Sequence, residues 1–264
     1  MPATALLNWT LFQFHSYLLV LMRVAPILFL MPILSSRNLP VLLKIGLTLT
    51  TGLIFLPGVQ IDPAVLPSDP YSFAFFLLGE LMIGLILALS VKIVFSGIQL
   101  GGELISFQMG FSMANVVDPS SDVNSPVISE FLYLLTMVLF LSVNGHHWFF
   151  HAVGQSFHLL PPGEVHLQPG LYRHFLHLLG ELMVIAVKIA APVMAVLIFT
   201  QVALGILAKA VPQVNILMTS FPVTIGLGLL FLAFSLDLIL PYSESLFREA
   251  GRGLVSTLLP LMRR

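Results

Sequence analysis

Apolar runs separated by short polar or proline-rich breaks follow one another along the whole chain. Several reach the ~20 residues that a helix needs to cross a bilayer, while others are shorter or contain a proline. Each run also holds at least one charged side chain, which a purely lipid-facing helix would avoid. The pattern predicts an all-α protein of broken helices and helical hairpins in a membrane. The runs cover residues 5–34, 41–56, 73–98, 127–143, 175–200 and 214–240.

The composition sharpens that prediction. Of the 264 residues, 58% are hydrophobic and only 9% are charged, whereas a soluble domain carries roughly 25% charged residues. No polar stretch is long enough for a soluble domain, so residues 1–264 are expected to form a single membrane domain. The net charge of −1 leaves no basic face for nucleic acid. Cysteine is absent and no nucleophile triad or phosphate-binding loop is found, so nothing indicates an enzyme.

The basic residues predict how the chain is oriented in the membrane. Lysine and arginine occur in 37–44 and 248–264 but are missing from 57–72 and 101–126. Because cytoplasmic loops carry an excess of Lys and Arg, the 37–44 turn and the C-terminus are expected in the cytoplasm. The stretch at about 241–264 reads as an amphipathic tail that stays at a membrane surface or on a partner.

The central stretch, residues 101–126, differs from everything around it. Glycines at its start and Asp118-Pro119 near its end argue against one continuous helix. Irregular backbone at membrane depth needs protein or an aqueous path around it. A plug that lines a pore and ordinary core packing are about equally supported by these residues. The residues of the predicted plug are Phe107, Gln108, Met109, Gly110, Phe111 and Met113, of which the four Phe and Met residues would share one side of an extended segment.

Eight of the charged residues within or beside the apolar runs are candidates for a function. A charge at the centre of a bilayer costs about 2.5–3.5 kcal/mol on insertion scales, so each should meet protein or water. They could form the ion or proton path of a secondary transporter. They could instead find mates on partner subunits, which we favour because so many runs are short and broken. These residues are Arg23, Lys44, Glu80, Lys92, Glu181, Lys188, Lys209 and Asp237.

The histidines are the other candidates for chemistry. His147 and His151 have the i, i+4 spacing of metal ligands on a helix, and His146 adjoins them. No Asp or Glu lies close to them in sequence, and Trp148 beside them is typical of a membrane interface. Interfacial histidines are the favoured interpretation, so neither a metal nor a cofactor is predicted.

Short motifs distributed along nearly the whole chain are similar to those of one known family. They are Ala25-Pro26-Ile27, Arg37-Asn38-Leu39-Pro40, Lys44-Ile45-Gly46-Leu47, Gln108-Met109-Gly110, Val117-Asp118-Pro119, Ser125-Pro126, Asn144-Gly145-His146, Ser156-Phe157, 204–210, Pro212-Gln213-Val214-Asn215 and Phe221-Pro222. In this order they resemble the FliR family of flagellar type III export-gate proteins, whose injectisome counterparts are the SctT branch.

The resemblance implies more than the residues alone. It implies a subunit of a multi-subunit helical export channel in the bacterial inner membrane, at the flagellar basal body, which conducts unfolded flagellar proteins and helps to seal the pore. The implied partners are FliP, FliQ and FlhB, the exported flagellar proteins and membrane lipid. The central loop would be the plug, at about residues 106–116. An injectisome export-gate subunit and a secondary membrane transporter are the alternatives.

Overall fold

A computed structural model of the chain consists of helices and the segments that join them. It describes residues 3–35, 39–63, 66–67, 69–111, 127–163, 169–210 and 216–262, and no β-strand occurs in these ranges. The helices are α1 (Ala3–Leu30), α2 (Val41–Phe55), α3 (Pro70–Met109), α4 (Val127–Ser142), α5 (Gly145–Leu159), α6 (Pro169–Ala210) and α7 (Ile216–Gly253). Short 3₁₀ turns at Leu56–Gly58 and Pro260–Met262 and a π-helical segment at Leu254–Leu258 complete the elements.

Five of the described helices are long and apolar enough to cross a membrane. The pair α4 and α5 adds a sixth candidate if its two parts count as one span; they are separated at Asn144, which has the left-handed φ of 56°. The prediction of an all-α integral membrane protein is confirmed. The candidate spans are Trp9–Leu30, Val41–Gly58, Pro70–Met109, Gly170–Ala210 and Ser220–Met262.

Contacts between residues divide the chain into two compact units. The first contains Met1–Lys92, Asn144–His177 and Arg248–Arg264; the second contains Ile93–Val143 and Leu178–Phe247. Both therefore draw on segments that are far apart in sequence. The expectation that residues 1–264 form a single membrane domain stays a prediction.

In the first unit, small residues let helices approach closely. A Cβ on Gly84 of α3 would collide with the carbonyl oxygen of Arg23 in α1. The Tyr17 hydroxyl of α1 donates a hydrogen bond to the Leu49 carbonyl of α2 (3.0 Å). Close backbone approach through glycine is a common way for helices to associate in lipid, where no hydrophobic force drives them together. These contacts hold α1 against both of its neighbours.

The second unit is packed by the same device. Cβ atoms on Gly97 and Gly101 of α3 would lie 3.0 Å and 2.9 Å from the side chains of Ile185 and Ile189 in α6. The two glycines, four residues apart, thus form a small-xxx-small stripe along the helix contact. The fully buried ring of Phe95 packs with aromatic rings of α4 and α7 at centroid distances of 5.0 to 6.0 Å.

The largest correction concerns α3, which we expected to end near residue 98 and to be followed by a loop from 101. The helix instead continues to Met109. Gly101 and Gly102 lie inside this helix. The space that a side chain would need is filled by α6 at Gly101 and by Ser129 of α4 at Gly102, so the two glycines serve close packing and do not break the helix. The Asp118-Pro119 breaker lies outside the described residues.

The C-terminal helices also differ from the expected breaks. We expected Gly205, Pro212 and Pro222 to interrupt the apolar sequence, with a turn near 210–214. Gly205 lies inside α6 and Pro222 inside α7. Helix α6 ends at Ala210 and α7 begins at Ile216, and the predicted turn near 210–214 falls on residues 211–215, which lie outside the described part. Helix α7 also continues through Pro241, so the predicted tail begins as its last turns.

Candidate functional site

A buried ion pair connects α1 and α3 in the first unit. Arg23 Nε donates a hydrogen bond to Glu80 Oε2 at 2.6 Å, and neither side chain is exposed at all. The two residues are 57 positions apart in sequence and are brought together because Gly84, one turn after Glu80, lets the two helices touch. We expected these residues to be buried charges or to find mates on partner subunits; within this chain Arg23 and Glu80 are buried and pair with each other.

Groups from α5 and from the residues that follow it surround the pair. Arg23 Nη1 donates hydrogen bonds to Ser156 Oγ (3.2 Å) and to the Leu160 carbonyl (3.0 Å). The guanidinium carbon also lies 4.3 Å from the centre of the Phe157 ring. Such a contact adds a cation–π attraction that grows when water is excluded. The guanidinium therefore fastens α5 to α1 and α3.

The carboxylate is held from its other oxygen as well. Glu80 Oε1 accepts a hydrogen bond from the backbone N–H of Gly163 (3.2 Å). Gly163 has φ of 91°, and a Cβ there would collide with the Phe76 ring, so only glycine fits. The Pro161-Pro162-Gly163 turn thus ends on the ion pair. Arg23 Nη2 is buried with no hydrogen-bond partner among the described residues.

The Arg23–Glu80 cluster affects the stability of the folded chain. A buried pair of charges contributes little net stability, because desolvation offsets the attraction, but removing one partner leaves a buried charge and costs about 3–5 kcal/mol. Loss of either Arg23 or Glu80 would therefore destabilise the contact between α1 and α3. Ser156, Phe157 and Gly163 were not predicted as site residues, although Ser156-Phe157 stood in a family motif and Gly163 followed two prolines.

The other predicted charges are not gathered at this cluster. Lys44 is half-buried, and the remaining five are exposed on this chain. The ammonium of Lys188 in α6 lies 5.4 Å from the centre of the Tyr242 ring in α7. The five exposed residues are Lys92, Glu181, Lys188, Lys209 and Asp237.

The base of the predicted plug forms a second cluster, in the second unit. Helix α3 ends at Met109, followed by Gly110 with φ of 93°. The N–H of Gly110 donates to the Phe107 carbonyl and that of Phe111 to the Ser106 carbonyl, both at 3.1 Å. This pair of bonds is the Schellman motif, in which a left-handed glycine closes a helix. The segment before Gly110 is therefore helical.

This geometry overturns the expected one-sided array of Phe and Met. Two positions apart on a helix differ by about 200° in direction, given 3.6 residues per turn. Accordingly Phe107 is 70% exposed while Met109 is completely buried. Phe111 is half-buried beyond the glycine, and Met113 lies outside the described residues.

Gln108 and Met109 anchor the end of α3. The Met109 side chain fills the place of a Cβ at Gly228 in α7, about 2.7 Å from that position, and the Thr224 hydroxyl lies 3.0 Å from the Met109 carbonyl. Gln108 Nε2 donates to Gln201 Oε1 of α6 (3.0 Å), and Gln201 Nε2 donates to the Gln108 carbonyl (3.3 Å). Gln201, a lone amide amid apolar residues, was a signal that we missed.

The histidines do not assemble a metal centre in the described part of the chain, where no group of three or more His, Cys, Asp or Glu side chains has suitable geometry. The rings of His146 and His147 lie 4.2 Å apart. His151 is exposed and lines a cavity with Trp148.

These features define an integral membrane protein of long helices, fastened by a buried ion pair and carrying an anchored central segment. The sequence matches the family described as bacterial export proteins, family 1, over residues 14–250. The chain therefore belongs to that family.

Individual relatives agree with the family match. The chain is 32% identical to flagellar biosynthetic protein FliR of Escherichia coli (strain K12), over 88% of either chain. It is 30% identical to the FliR of Bacillus subtilis (strain 168), over 89% of this chain and 91% of that protein. It is 33% identical to the FliR of Borreliella burgdorferi, over 86% and 84%. The similarity to FliR proteins expected from the motifs is confirmed.

Proposed function

We propose that this chain is a subunit of the flagellar type III protein export gate in the bacterial inner membrane, at the flagellar basal body. The observation that carries the proposal is the match to bacterial export proteins over residues 14–250, with relatives named as flagellar biosynthetic proteins. It conducts unfolded flagellar proteins in a complex with FliP, FliQ and FlhB. It works as a channel component and not as an enzyme.

The segment that we propose as the seal is shorter than the plug that the sequence predicted. Gln108 and Met109 form the fixed base, held by Gln201 and Gly228. The displaceable seal begins after Gly110 and includes Phe111 and Met113. Large apolar side chains can close a lumen by excluding water, which raises a desolvation barrier for ions. Methionine suits a seal that must deform around a passing chain.

The exposed charges support assembly with partners. Five of the eight charges lie on the outside of this chain, where lipid tails would be costly neighbours. Large apolar side chains accompany them, for example Phe199 and Phe234, which are 75% and 69% exposed. Surfaces that mix charged side chains with large apolar groups fit subunit interfaces, in which partner residues cover both kinds of group.

Co-purification tests the assignment. A tagged chain expressed in its own bacterium and extracted in mild detergent should bring FliP, FliQ and FlhB with it, and the untagged strain is the control. Recovery of injectisome proteins instead would move the chain to that system. A chain that is stable and monodisperse alone, with no partner, would favour a secondary transporter.

Ion conductance tests the seal. We expect Phe111→Ser with Met113→Ser to leave the complex assembled and to raise its conductance in planar bilayers, because the apolar barrier is removed. The matched control is Phe75→Ser with Met82→Ser, which removes one exposed Phe and one exposed Met from α3 far from the base. An assembled Phe111/Met113 variant that conducts no more than this control would show that the seal lies elsewhere.

A further inference from the structure

A narrow polar stripe runs along α3 in the second unit. Apart from glycine, residues 93–107 are apolar at all but four positions, and these four follow one another at spacings of three, four and three residues. They are Ser96, Gln99, Glu103 and Ser106. Such spacing places them within a sector of about 80° on a helix with 3.6 residues per turn. The next position of the series is Gly110, directly after the last residue of α3, so the stripe extends to the point where the proposed seal begins.

The polar groups of the stripe are not used within the described part of the chain. Ser96, Gln99 and Glu103 are half-buried, and none of them forms a side-chain hydrogen bond or ion pair with another described residue. Ser106 is only 2% exposed, and its hydroxyl has no hydrogen-bond partner among the described residues either. A buried polar group in this state is destabilising until it is paired. The stripe therefore offers donors and acceptors to a molecule outside this chain.

The helices of the second unit cover the other faces of α3. Gly97 and Gly101 pack against α6, and Gly102 packs against Ser129 of α4. Successive residues of a helix differ by about 100° in direction, so these glycines point away from the stripe. The stripe is the face of α3 that α4 and α6 leave open.

The shape of the stripe indicates its surroundings. Acyl chains do not suit it, because a carboxylate beside an amide is costly in lipid. A helix that faces open water is polar over a much wider sector than about 80°. A narrow polar sector with apolar flanks fits a narrow aqueous path, and its continuity with the seal at Gly110 favours this path over a contact with a partner helix.

We propose that the stripe lines the aqueous path of the export gate and binds the unfolded chain that passes through it. The inference rests on the proposed function. An unfolded chain presents backbone N–H and C=O groups along its whole length, and the hydroxyl of Ser96 and the amide of Gln99 can donate to and accept from them whatever the sequence. Glu103 adds a carboxylate that attracts lysine and arginine side chains. The path should therefore hold basic segments longer than neutral ones.

Disulfide trapping of a stalled chain tests the proposal. This chain has no cysteine, so Gln99→Cys or Glu103→Cys introduces its only thiol. The assembled gate is purified with an exported flagellar protein that a fused, stably folded domain stalls in transit and that has one cysteine in its unfolded part. We expect both variants to form a disulfide with the stalled protein on mild oxidation. Leu104→Cys is the matched control, since it is half-buried like Glu103 but points about 100° away, and it should react several-fold less.

The charge of the stalled protein tests the part played by Glu103. In the Gln99→Cys variant, a trapping cysteine flanked by lysines should react about fivefold more than one flanked by glutamines, as expected for opposite charges about 4 Å apart in water. Glu103→Gln in the same chain should remove this difference, whereas Asp237→Asn, at an exposed carboxylate of α7, should leave it unchanged. Ser96→Cys replaces Gln99→Cys if the latter prevents assembly.

Four results would overturn the proposal. Absence of a disulfide in a gate that co-purifies with the stalled protein would take the stripe out of the path. A disulfide to a cysteine of a partner subunit would make the stripe a subunit interface, and equal trapping by Leu104→Cys would make it part of an open surface. Failure of the wild-type chain to co-purify with the stalled protein would instead contradict the proposed function itself.

Discussion

At the scale of single residues, the Arg23–Glu80 pair has the largest predicted effect. Arg23→Met should destabilise the folded chain by about 3–5 kcal/mol, because Glu80 would be left charged in a site with no access to water. Arg23→Met combined with Glu80→Leu should recover much of that loss, because no buried charge is left. Unfolding of the purified chain in detergent measures both.

The control for this pair is Arg173→Met, which removes an exposed arginine and should change stability by no more than ~0.5 kcal/mol. A double variant as unstable as the single one would mean that the hydrogen bonds to Ser156 and Leu160, and not the charge balance, hold these helices together.

Asp69 gives a prediction that depends on pH. Its carboxylate accepts a hydrogen bond from the Ser72 N–H at 2.9 Å and caps the start of α3. The backbone and hydroxyl bonds from Ser72 lower the pKa of Asp69 below its ordinary value. A lowered pKa means that the cap stabilises the helix above the usual carboxyl pKa and is lost as pH falls through the folded pKa.

The protection of the Ser72 amide, which is its exchange rate compared with that of an unstructured chain at the same pH, should therefore decrease in acid in the wild type. Asp69→Ala should show low protection at every pH, and Asp69→Asn should keep a neutral cap with a weaker pH dependence of the protection. Identical pH profiles for the wild type and Asp69→Ala would mean that the Asp69 carboxylate does not cap α3.

At the scale of elements, the end of α3 depends on Gly110. Any other residue must adopt its φ of 93°, and a Cβ would lie 2.9 Å from the Phe221 ring. Gly110→Ala should cost about 1–2 kcal/mol and speed hydrogen exchange at Phe111, whose N–H closes the helix. Gly226→Ala in α7, where a Cβ meets open space, should be neutral or stabilising.

If Gly110→Ala leaves exchange at Phe111 unchanged, the Schellman motif is not what terminates α3. The same variant also probes the seal, because a displaced base would shift Phe111. Its conductance can be compared directly with that of the Phe111/Met113 variant.

At the scale of the whole molecule, Lys188 reports on assembly. Lys188 is exposed on this chain and lies beside the Tyr242 ring, so we expect its charge to contribute little to the stability of the chain alone. We expect Lys188→Ala to reduce the yield of the complex with co-expressed partners on native gels while membrane insertion is unchanged. Lys188→Arg should retain both the charge and the cation–π contact.

Arg173→Ala is the matched control for a lost exposed cation. Wild-type yield of the complex from Lys188→Ala would take Lys188 out of the subunit interface. Reduced insertion in the same variant would place its role in the folding of the chain itself.

The sequence by itself determined that this is an all-α membrane protein with the motifs of an export family. Those properties follow from local information: run length, composition and short motifs read in order. It also identified Arg23 and Glu80 as charges that could not face lipid, because the cost of a charge in hydrocarbon does not depend on the fold.

Only the tertiary structure decided that these two charges pair with each other across 57 residues, because that depends on how closely α1 and α3 pack at Gly84. Gly101 is a second case in which a tertiary contact decided what the sequence could not. In sequence it reads as a helix breaker, yet it lies within α3 because Ile189 of α6 occupies the space that a side chain would need. A glycine's role is set by what lies against it, and residues distant in sequence supply that neighbour.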